Sequence, residues 1–135
     1  MQNVRLFSDT RPTLFICTAC RFSKTEQERA GLRGGQHLWN QFCDQQQTEP
    51  ECHPFCLQAV SCMGACSRSC VVAFAGLDKT TFIFGDLSPL EECVADLLQF
   101  SDRYFATTKG DVPYADRPTA LKQRLVAKLP AFPHS

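Results

Sequence analysis

The sequence predicts an α/β domain with a mixed sheet of about four strands and flanking helices. Short apolar runs rich in β-branched and aromatic residues alternate along the chain with two amphipathic stretches of helical period. Their order is strand, helix, strand, strand, strand, helix, which favours a parallel first pair joined by a crossover and then an antiparallel hairpin. With 135 residues, of which 44% are hydrophobic, the chain is long enough to bury one core.

The first strand and the first helix are each marked by the spacing of apolar residues. Residues 13–17 form an apolar run that follows a proline and ends at a cysteine, so they predict a buried strand. Residues 21–35 are polar, contain three glycines and predict a loop. A helix is expected from about Gly35 to Gln46. Its apolar face consists of Leu38, Trp39, Phe42 and Cys43.

Three further strands and a second helix follow. Residues 55–61 predict a strand, and residues 70–75 and 80–84 predict a hairpin around a Gly-Leu-Asp-Lys turn. Ser-Pro-Leu-Glu at 88–91 is a capping box with proline at the first helical position, so the second helix is expected to run from there to about Thr107. Its apolar stripe consists of Leu90, Cys93, Val94, Leu97, Leu98, Ser101 and Tyr104.

The last part of the chain is predicted to extend a domain that spans residues 1–110. Residues 111–135 begin with a proline-containing linker and continue as an amphipathic pattern through Leu121, Leu125 and Val126, which a proline ends. This pattern predicts a helical C-terminal extension.

The charge and hydropathy of the chain exclude several classes of partner. Fourteen basic residues balance fourteen acidic ones without a dense basic run, which disfavours nucleic-acid binding. No apolar stretch approaches the roughly 20 residues of a transmembrane helix, and the first residues lack the pattern of a signal peptide. We therefore expect a cytoplasmic protein without membrane attachment.

Cysteine is the most unusual residue type in the composition, with nine in the chain. In a reducing cytosol this number indicates metal ligation or redox chemistry rather than a disulfide framework. Cys17 and Cys20 form a Cys-x-x-Cys pair, and Cys62, Cys66 and Cys70 form a Cys-x3-Cys-x3-Cys run. Short pairs of this kind let two thiolates converge on one metal centre from a turn, while the intervening helix brings the two groups together.

These residue types leave three chemistries open. The thiolates suit an iron–sulfur cluster, and the same residues and spacing also suit a structural zinc site. A Cys-x-x-Cys after a first strand is also typical of a thiol–disulfide oxidoreductase, although this function leaves Cys62, Cys66 and Cys70 unused. No Ser-His-Asp set, carboxylate pair or phosphate-binding loop appears. We therefore expect an electron carrier or a metal-binding protein and not an enzyme.

The other cysteines have simpler interpretations. Cys43 and Cys93 lie on apolar helix faces, so both are predicted to be buried core thiols. Cys52, His53 and Cys56 form the sequence Cys-His-Pro-Phe-Cys, which fits a loop insertion with a local disulfide or incidental thiols better than a second metal site.

The order of strand, Cys pair, helix, strand and Cys-Met-Gly-Ala-Cys, followed by two valines, resembles the thioredoxin-like [2Fe-2S] ferredoxins and the related small subunit of respiratory NADH dehydrogenase. The resemblance implies a thioredoxin-like fold and a [2Fe-2S] cluster that exchanges electrons with redox partner proteins. It implies that Cys17 and Cys20 bind one iron and that Cys62 and Cys66 bind the other. It also implies a homodimer, unless the C-terminal extension covers the same surface.

Two departures from the ferredoxin pattern concern the ligands. The first pair has two intervening residues, fewer than in the ferredoxins, and Cys70 stands where those proteins tend to have proline. Cys70 could therefore bind the cofactor in place of Cys17 or Cys20, or the site could hold a [4Fe-4S] cluster.

A second resemblance covers most of residues 13–130. The motifs Cys-Thr-x-Cys-Arg at 17–21, Cys-x3-Cys-x3-Cys at 62–70, Phe-Gly-Asp-Leu at 84–87 and Arg-Pro-x-x-Leu-Lys at 117–122 are similar to those of a bacterial family described as predicted metal-binding proteins. That family is linked by genome context to cobalamin biosynthesis. The resemblance keeps open a zinc- or cobalt-handling protein without redox activity.

Overall fold

A five-stranded mixed sheet forms the centre of the fold, in a computed structural model that describes residues 12–23, 25–45, 56–61, 70–89 and 91–131. In chain order the strands are β1 (Thr13–Cys17), β2 (Glu28–Arg29), β3 (Leu32–Arg33), β4 (Cys56–Val60), β5 (Val72–Ala75), β6 (Thr81–Phe84) and β7 (Leu125–Leu129). The helices are α1 (Gly34–Gln45) and α2 (Glu91–Ala106). Every strand and helix predicted between the first strand and the second helix is present. The observed ends that the structure describes lie within three residues of the predicted ends.

The sheet has the strand order β4-β1-β5-β6-β7. β1 pairs in parallel with β4, and every other neighbouring pair is antiparallel. The prediction of a parallel first pair followed by an antiparallel hairpin is therefore confirmed. The sheet has five strands rather than about four because β7 adds to the free edge of β6.

The register of the parallel pair aligns the ends of β1 and β4. Thr13 lies opposite Cys56, and Cys17 lies opposite Val60. Because parallel strands run in the same direction, the carboxyl ends of β1 and β4 lie side by side at the same end of the sheet. The loop after Cys17 and the segment after Val60 therefore start side by side.

Aromatic side chains dominate the core between the sheet and α2. Phe74 is fully buried, and its ring centroid lies 4.9 Å from that of Phe100 and 5.5 Å from that of Tyr104. The hydroxyl of Tyr104 donates a hydrogen bond to the carbonyl oxygen of Thr80 at 2.6 Å. The predicted apolar stripe of α2 faces this core, since Val94, Leu97, Ser101 and Tyr104 are all buried. Neither described helix combines the length and apolar character needed to cross a membrane.

The prediction of a C-terminal helix through Leu121, Leu125 and Val126 is wrong. Leu121 ends a short 3-10 helix and is buried, but the residues from Leu125 to Leu129 form strand β7. The four-residue spacing of Leu121 and Leu125 fits a helix. In the structure, however, the partly buried residues Leu125 and Ala127 alternate with exposed neighbours, which is the two-residue period of a strand. The free edge of β6 supplies backbone hydrogen-bond partners that an extended chain can use and a helix cannot.

The predicted loop at 21–35 contains a small antiparallel ribbon, β2 paired with β3. Ala30 and Gly31 connect the two strands, with φ of 56° and 79°. Two successive left-handed residues form the tight turn that suits a hairpin, although alanine is an unusual residue at the first position. The sequence therefore carried no standard turn signal for this ribbon.

Candidate metal centre

The backbone around Cys17 is held from both sides of β1. The amide of Cys17 donates to the carbonyl of Val71 at 3.1 Å, on the β5 side. The amide of Thr18 donates to the carbonyl of Val60 at 2.9 Å, on the β4 side. The loop that carries the Cys-Thr-Ala-Cys sequence thus begins from a fixed position in the middle of the sheet.

The start of α1 packs directly on this loop. The amide of Gly35 donates to the carbonyl of Cys20 at 3.2 Å. A Cβ atom on Gly34 would lie 2.3 Å from the carbonyl oxygen of Arg21, and a Cβ atom on Gly35 would lie 1.9 Å from that of Cys17. Only glycine permits this approach, which places the positive end of the helix dipole beside the two cysteines.

The thiols of Cys17 and Cys20 are buried together. Each residue is 4% exposed, and the two side chains are hydrogen-bonded to each other. Burial raises the pKa of the Cys20 thiol far above its usual value, and the hydrogen bond with Cys17 raises it further. A hydrogen bond from the backbone of Val71 to Cys20 acts in the opposite direction. A cation bound here would favour the thiolates and displace the protons.

Cys70 lies next to this pair. It is fully buried, and its thiol donates to the carbonyl oxygen of Arg21 at 3.7 Å. Its backbone exchanges two hydrogen bonds with Leu87, at 3.0 and 3.2 Å. Burial raises the pKa of the Cys70 thiol to about 12, with further contributions from Cys93 and then Cys17. The structure therefore places Cys70 beside the pair of Cys17 and Cys20.

Cys93 comes close to the same group, which the sequence did not predict. It is half-buried on α2, packs against the core and interacts electrostatically with Cys70. Its position in the apolar stripe of the helix was the only signal in the sequence, and that signal indicated packing. Cys43 is also half-buried, and burial raises the pKa of its thiol.

Most of the other candidate ligands fall on residues that the structure does not describe. Cys62 and Cys66 lie outside the described residues, as do Cys52 and His53. Cys56 is the first residue of β4 and thus lies at the opposite end of the parallel pair from Cys17. Across the described ranges, no three Cys, His, Asp or Glu side chains converge in a way that could hold a metal ion. The described residues thus supply a two-thiol site with a third thiol beside it, and the four-ligand set stays a prediction.

This donor set fits an iron–sulfur cluster in its chemistry. Cys17 and Cys20 are paired sulfur donors, largely shielded from water, and a backbone group already bonds to one of them. Sulfur donors of this kind suit iron–sulfur clusters and zinc and do not suit Mg²⁺ or Ca²⁺. Two further thiolates are needed for a complete cluster site.

Two arginines next to the cysteine loop donate hydrogen bonds to backbone carbonyls. Nε of Arg21 donates to the carbonyl of Ser23 at 3.3 Å, and Nε of Arg33 donates to the carbonyl of Ala19 at 2.7 Å. Arg21 adjoins the cysteine pair in the sequence, whereas Arg33 lies 14 residues from its partner Ala19. Only the folded ribbon brings Arg33 to the cysteine loop.

Comparison with known proteins identifies a family and a fold. The family described as "Protein of unknown function (DUF1636)" matches residues 14–131 of this chain. No curated protein matches this chain. Two solved structures of a thioredoxin-like [2Fe-2S] ferredoxin from Aquifex aeolicus are similar in fold. The first has a TM-score of 0.55 and 18% identity and covers 89% of this chain and 94% of its own.

The second structure, the wild-type ferredoxin at 1.5 Å resolution, has a TM-score of 0.51 and 15% identity. It covers 88% of this chain and 99% of its own. These similarities extend over nearly all of each chain, and they confirm the predicted thioredoxin-like α/β fold. At this level of identity the similarity concerns the fold alone.

Proposed function

The chain belongs to this DUF1636 family, and from that premise we propose that it is a [2Fe-2S] electron-transfer protein and not an enzyme. The main observation that supports the proposal is the parallel register of β1 and β4. It starts the Cys17 loop and the segment that leads to Cys62 at the same edge of the sheet. Cys17, Cys20, Cys62 and Cys66 are the proposed ligands, and the similarity in fold to a thioredoxin-like [2Fe-2S] ferredoxin supports the choice of cofactor.

The proposed second ligand pair is flanked on both sides by described residues. Val60 accepts the amide of Thr18, and Cys62 follows Val60 by two residues. The chain re-enters the described structure at Cys70, whose thiol interacts with Cys17. The described residues on either side of the segment with Cys62 and Cys66 therefore lie beside the first pair.

The chain's own groups suit a negatively charged centre at this position. The first turn of α1 directs its partial positive charge at the loop, because Gly34 and Gly35 allow backbone contact. The Val71 backbone bonds to the sulfur of Cys20, and hydrogen bonds to ligand sulfur tune the potential of an iron–sulfur centre. When bound, a [2Fe-2S] cluster supplies the acceptance and donation of one electron at a time.

Burial argues against thiol–disulfide exchange as the function of the first pair. A thiol that attacks a disulfide must be accessible to it, and catalytic cysteines occupy partly exposed positions. Cys17 and Cys20 are each 4% exposed. A buried ligand pair is instead suited to electron transfer, which needs no atomic contact between substrate and sulfur.

The ligand assignment is tested by single serine substitutions. We expect Cys17→Ser, Cys20→Ser, Cys62→Ser and Cys66→Ser each to lose most of the iron and acid-labile sulfide of the anaerobically purified protein. Cys43→Ser is the matched control, because Cys43 is a half-buried thiol of α1 outside the cysteine loop. It should keep the full content of both. Circular dichroism verifies that each variant is folded.

Two results would overturn this assignment. Full iron and sulfide in Cys62→Ser and Cys66→Ser would exclude those residues as ligands. Stoichiometric zinc without iron in the unmodified protein would replace electron transfer by a structural or metal-handling role. The Cys70→Ser variant decides between the alternatives for the fifth thiol. If Cys70 lines the site without binding, this variant keeps its cofactor.

A further inference from the structure

The cysteine loop is bordered by a ribbon that carries both acidic and basic side chains. β2 and β3 hold Arg29 and Arg33, and Arg21 directly follows the second cysteine of the pair. The ribbon is anchored by Arg29, whose guanidinium lies 3.9 Å from the centre of the Phe22 ring. Its backbone carbonyl is bonded to Nε2 of His37 on α1 at 2.6 Å. The ribbon is thus fastened to the same elements that hold the cysteines.

The three arginines of this surface differ in their partners. Arg29 forms an ion pair with Glu26 at 2.9 Å, which balances its charge. Arg21 and Arg33 use Nε to bind backbone carbonyls, and no carboxylate among the described residues pairs with either of them. Two guanidinium groups without an ion pair among the described residues therefore lie beside the cysteine loop, although Glu28 is the cross-strand neighbour of Arg33.

The backbone hydrogen bonds orient these two groups in advance. A guanidinium has five N–H donors in a rigid plane, and the Nε–H of each of these arginines already bonds to a backbone carbonyl. The terminal Nη groups keep their donors for a carboxylate, which arginine binds in a two-point geometry. Because these hydrogen bonds restrain each side chain, less side-chain entropy is lost when a partner binds.

An exposed apolar side chain completes the surface. Leu32 of β3 is 38% exposed and immediately precedes Arg33. Specific protein interfaces combine an apolar centre with a polar or charged rim. The ribbon tip beside the cysteine loop has both parts of this arrangement.

We propose that Arg21, Arg33 and Leu32 form a docking surface for an acidic protein partner. The proposal rests on the proposed function, in which that partner gives or takes an electron at the neighbouring cysteines. Contact at this ribbon would bring the partner close to Cys17 and Cys20, because Arg33 bonds to the loop between them. Complementary charge of this kind accelerates encounter and fixes orientation.

Binding of a fluorescein-labelled oligoglutamate peptide, measured by fluorescence anisotropy at low ionic strength, tests this surface. The full-length protein is used as isolated, so the measurement needs neither colour nor electron transfer. We expect the double variant Arg21→Gln/Arg33→Gln to bind the peptide about fivefold to tenfold more weakly than the unmodified protein, because two charge-assisted contacts are lost. Added salt should reduce the difference.

A charge-matched control separates this surface from the general charge of the protein. Arg103→Gln/Arg124→Gln removes the same charge from two exposed residues outside the ribbon, one on α2 and one before β7. We expect this control to bind the peptide as the unmodified protein does. Both double variants should keep the circular dichroism of the unmodified protein, since none of the four side chains belongs to the core.

Three outcomes would overturn the proposal. The first is that Arg21→Gln/Arg33→Gln binds the peptide with unchanged affinity, and the second is that the control variant loses as much affinity as this variant. The third is that a single-stranded oligonucleotide of the same charge as the peptide binds the unmodified protein equally tightly. The last result would show general anion binding instead of recognition of carboxylates. Iron and sulfide content are measured separately, so failure of the docking surface is distinguishable from failure of the proposed function.

Discussion

Replacing Gly35 by alanine tests the contact between α1 and the cysteine loop. The added methyl carbon would lie 1.9 Å from the carbonyl oxygen of Cys17 and 2.8 Å from two backbone atoms of Thr18. Cβ atoms essentially never approach closer than 3.0 Å, so helix and loop must separate by about 1 Å. Both partners are backbone, and no side-chain rotation can relieve the overlap.

The expected cost follows from this geometry. Overpacking of a closed contact costs about 1–3 kcal/mol. The higher helix propensity of alanine offsets at most about 0.5–1 kcal/mol of it. We therefore expect Gly35→Ala to lower the free energy of unfolding by about 1–2 kcal/mol. The displaced loop carries Cys17 and Cys20, so the cofactor content should fall as well.

Urea denaturation followed by circular dichroism measures the change in stability. Gln36→Ala is the matched control, because Gln36 is the next residue of the same helical turn and its side chain bonds to Asn40 on the surface. It should change the free energy of unfolding by no more than about 0.5 kcal/mol. Equal stability of Gly35→Ala and the unmodified protein would refute the close packing of helix and loop.

Further predictions concern the core. Tyr104→Phe removes the buried hydroxyl that donates to Thr80 and should lower the free energy of unfolding by about 1–2 kcal/mol. Burial raises the pKa of Tyr104, so the unfolded chain releases this proton first as the pH rises above about 10, the usual tyrosine value. Above about pH 10 the free energy of unfolding of the unmodified protein should therefore fall, and it should approach that of Tyr104→Phe. A difference in free energy of unfolding between the two proteins that stays constant from pH 8 to 11 would contradict this. Phe74→Ala should cost about 3–5 kcal/mol, whereas Leu77→Ser, at a residue 65% exposed, should cost less than about 0.5 kcal/mol. Similar urea midpoints for these last two variants would contradict the assigned core.

The elements that could be predicted from the sequence are those whose apolar pattern has one interpretation. The run at 13–17 and the hairpin strands are apolar and short, and α2 has a long stripe of helical period. β7 has a pattern with two interpretations, since the spacing of Leu121 and Leu125 also fits a helix. The available edge of β6 decides between them, and that edge exists only after the sheet has formed.

The candidate site was predictable where its residues are close in sequence. The spacing of Cys17 and Cys20 predicts that they act as a pair, and in the structure both lie in one buried loop. The approach of Cys93 to Cys70 depends on how α2 docks on the sheet, which no local pattern encodes. Arg33 reaches the loop only through a ribbon whose turn begins with Ala30 at positive φ, a residue that does not predict a turn.

An ultraviolet–visible spectrum of the anaerobically purified protein, recorded before and after addition of dithionite, tests the central claim most directly. Iron, zinc and acid-labile sulfide are quantified in the same sample. The proposed function predicts visible charge-transfer bands that bleach on reduction, with about two irons and two sulfides per chain, the composition of a [2Fe-2S] centre. A colourless protein with stoichiometric zinc, which also fails to form a cluster on anaerobic reconstitution with iron and sulfide, would contradict it.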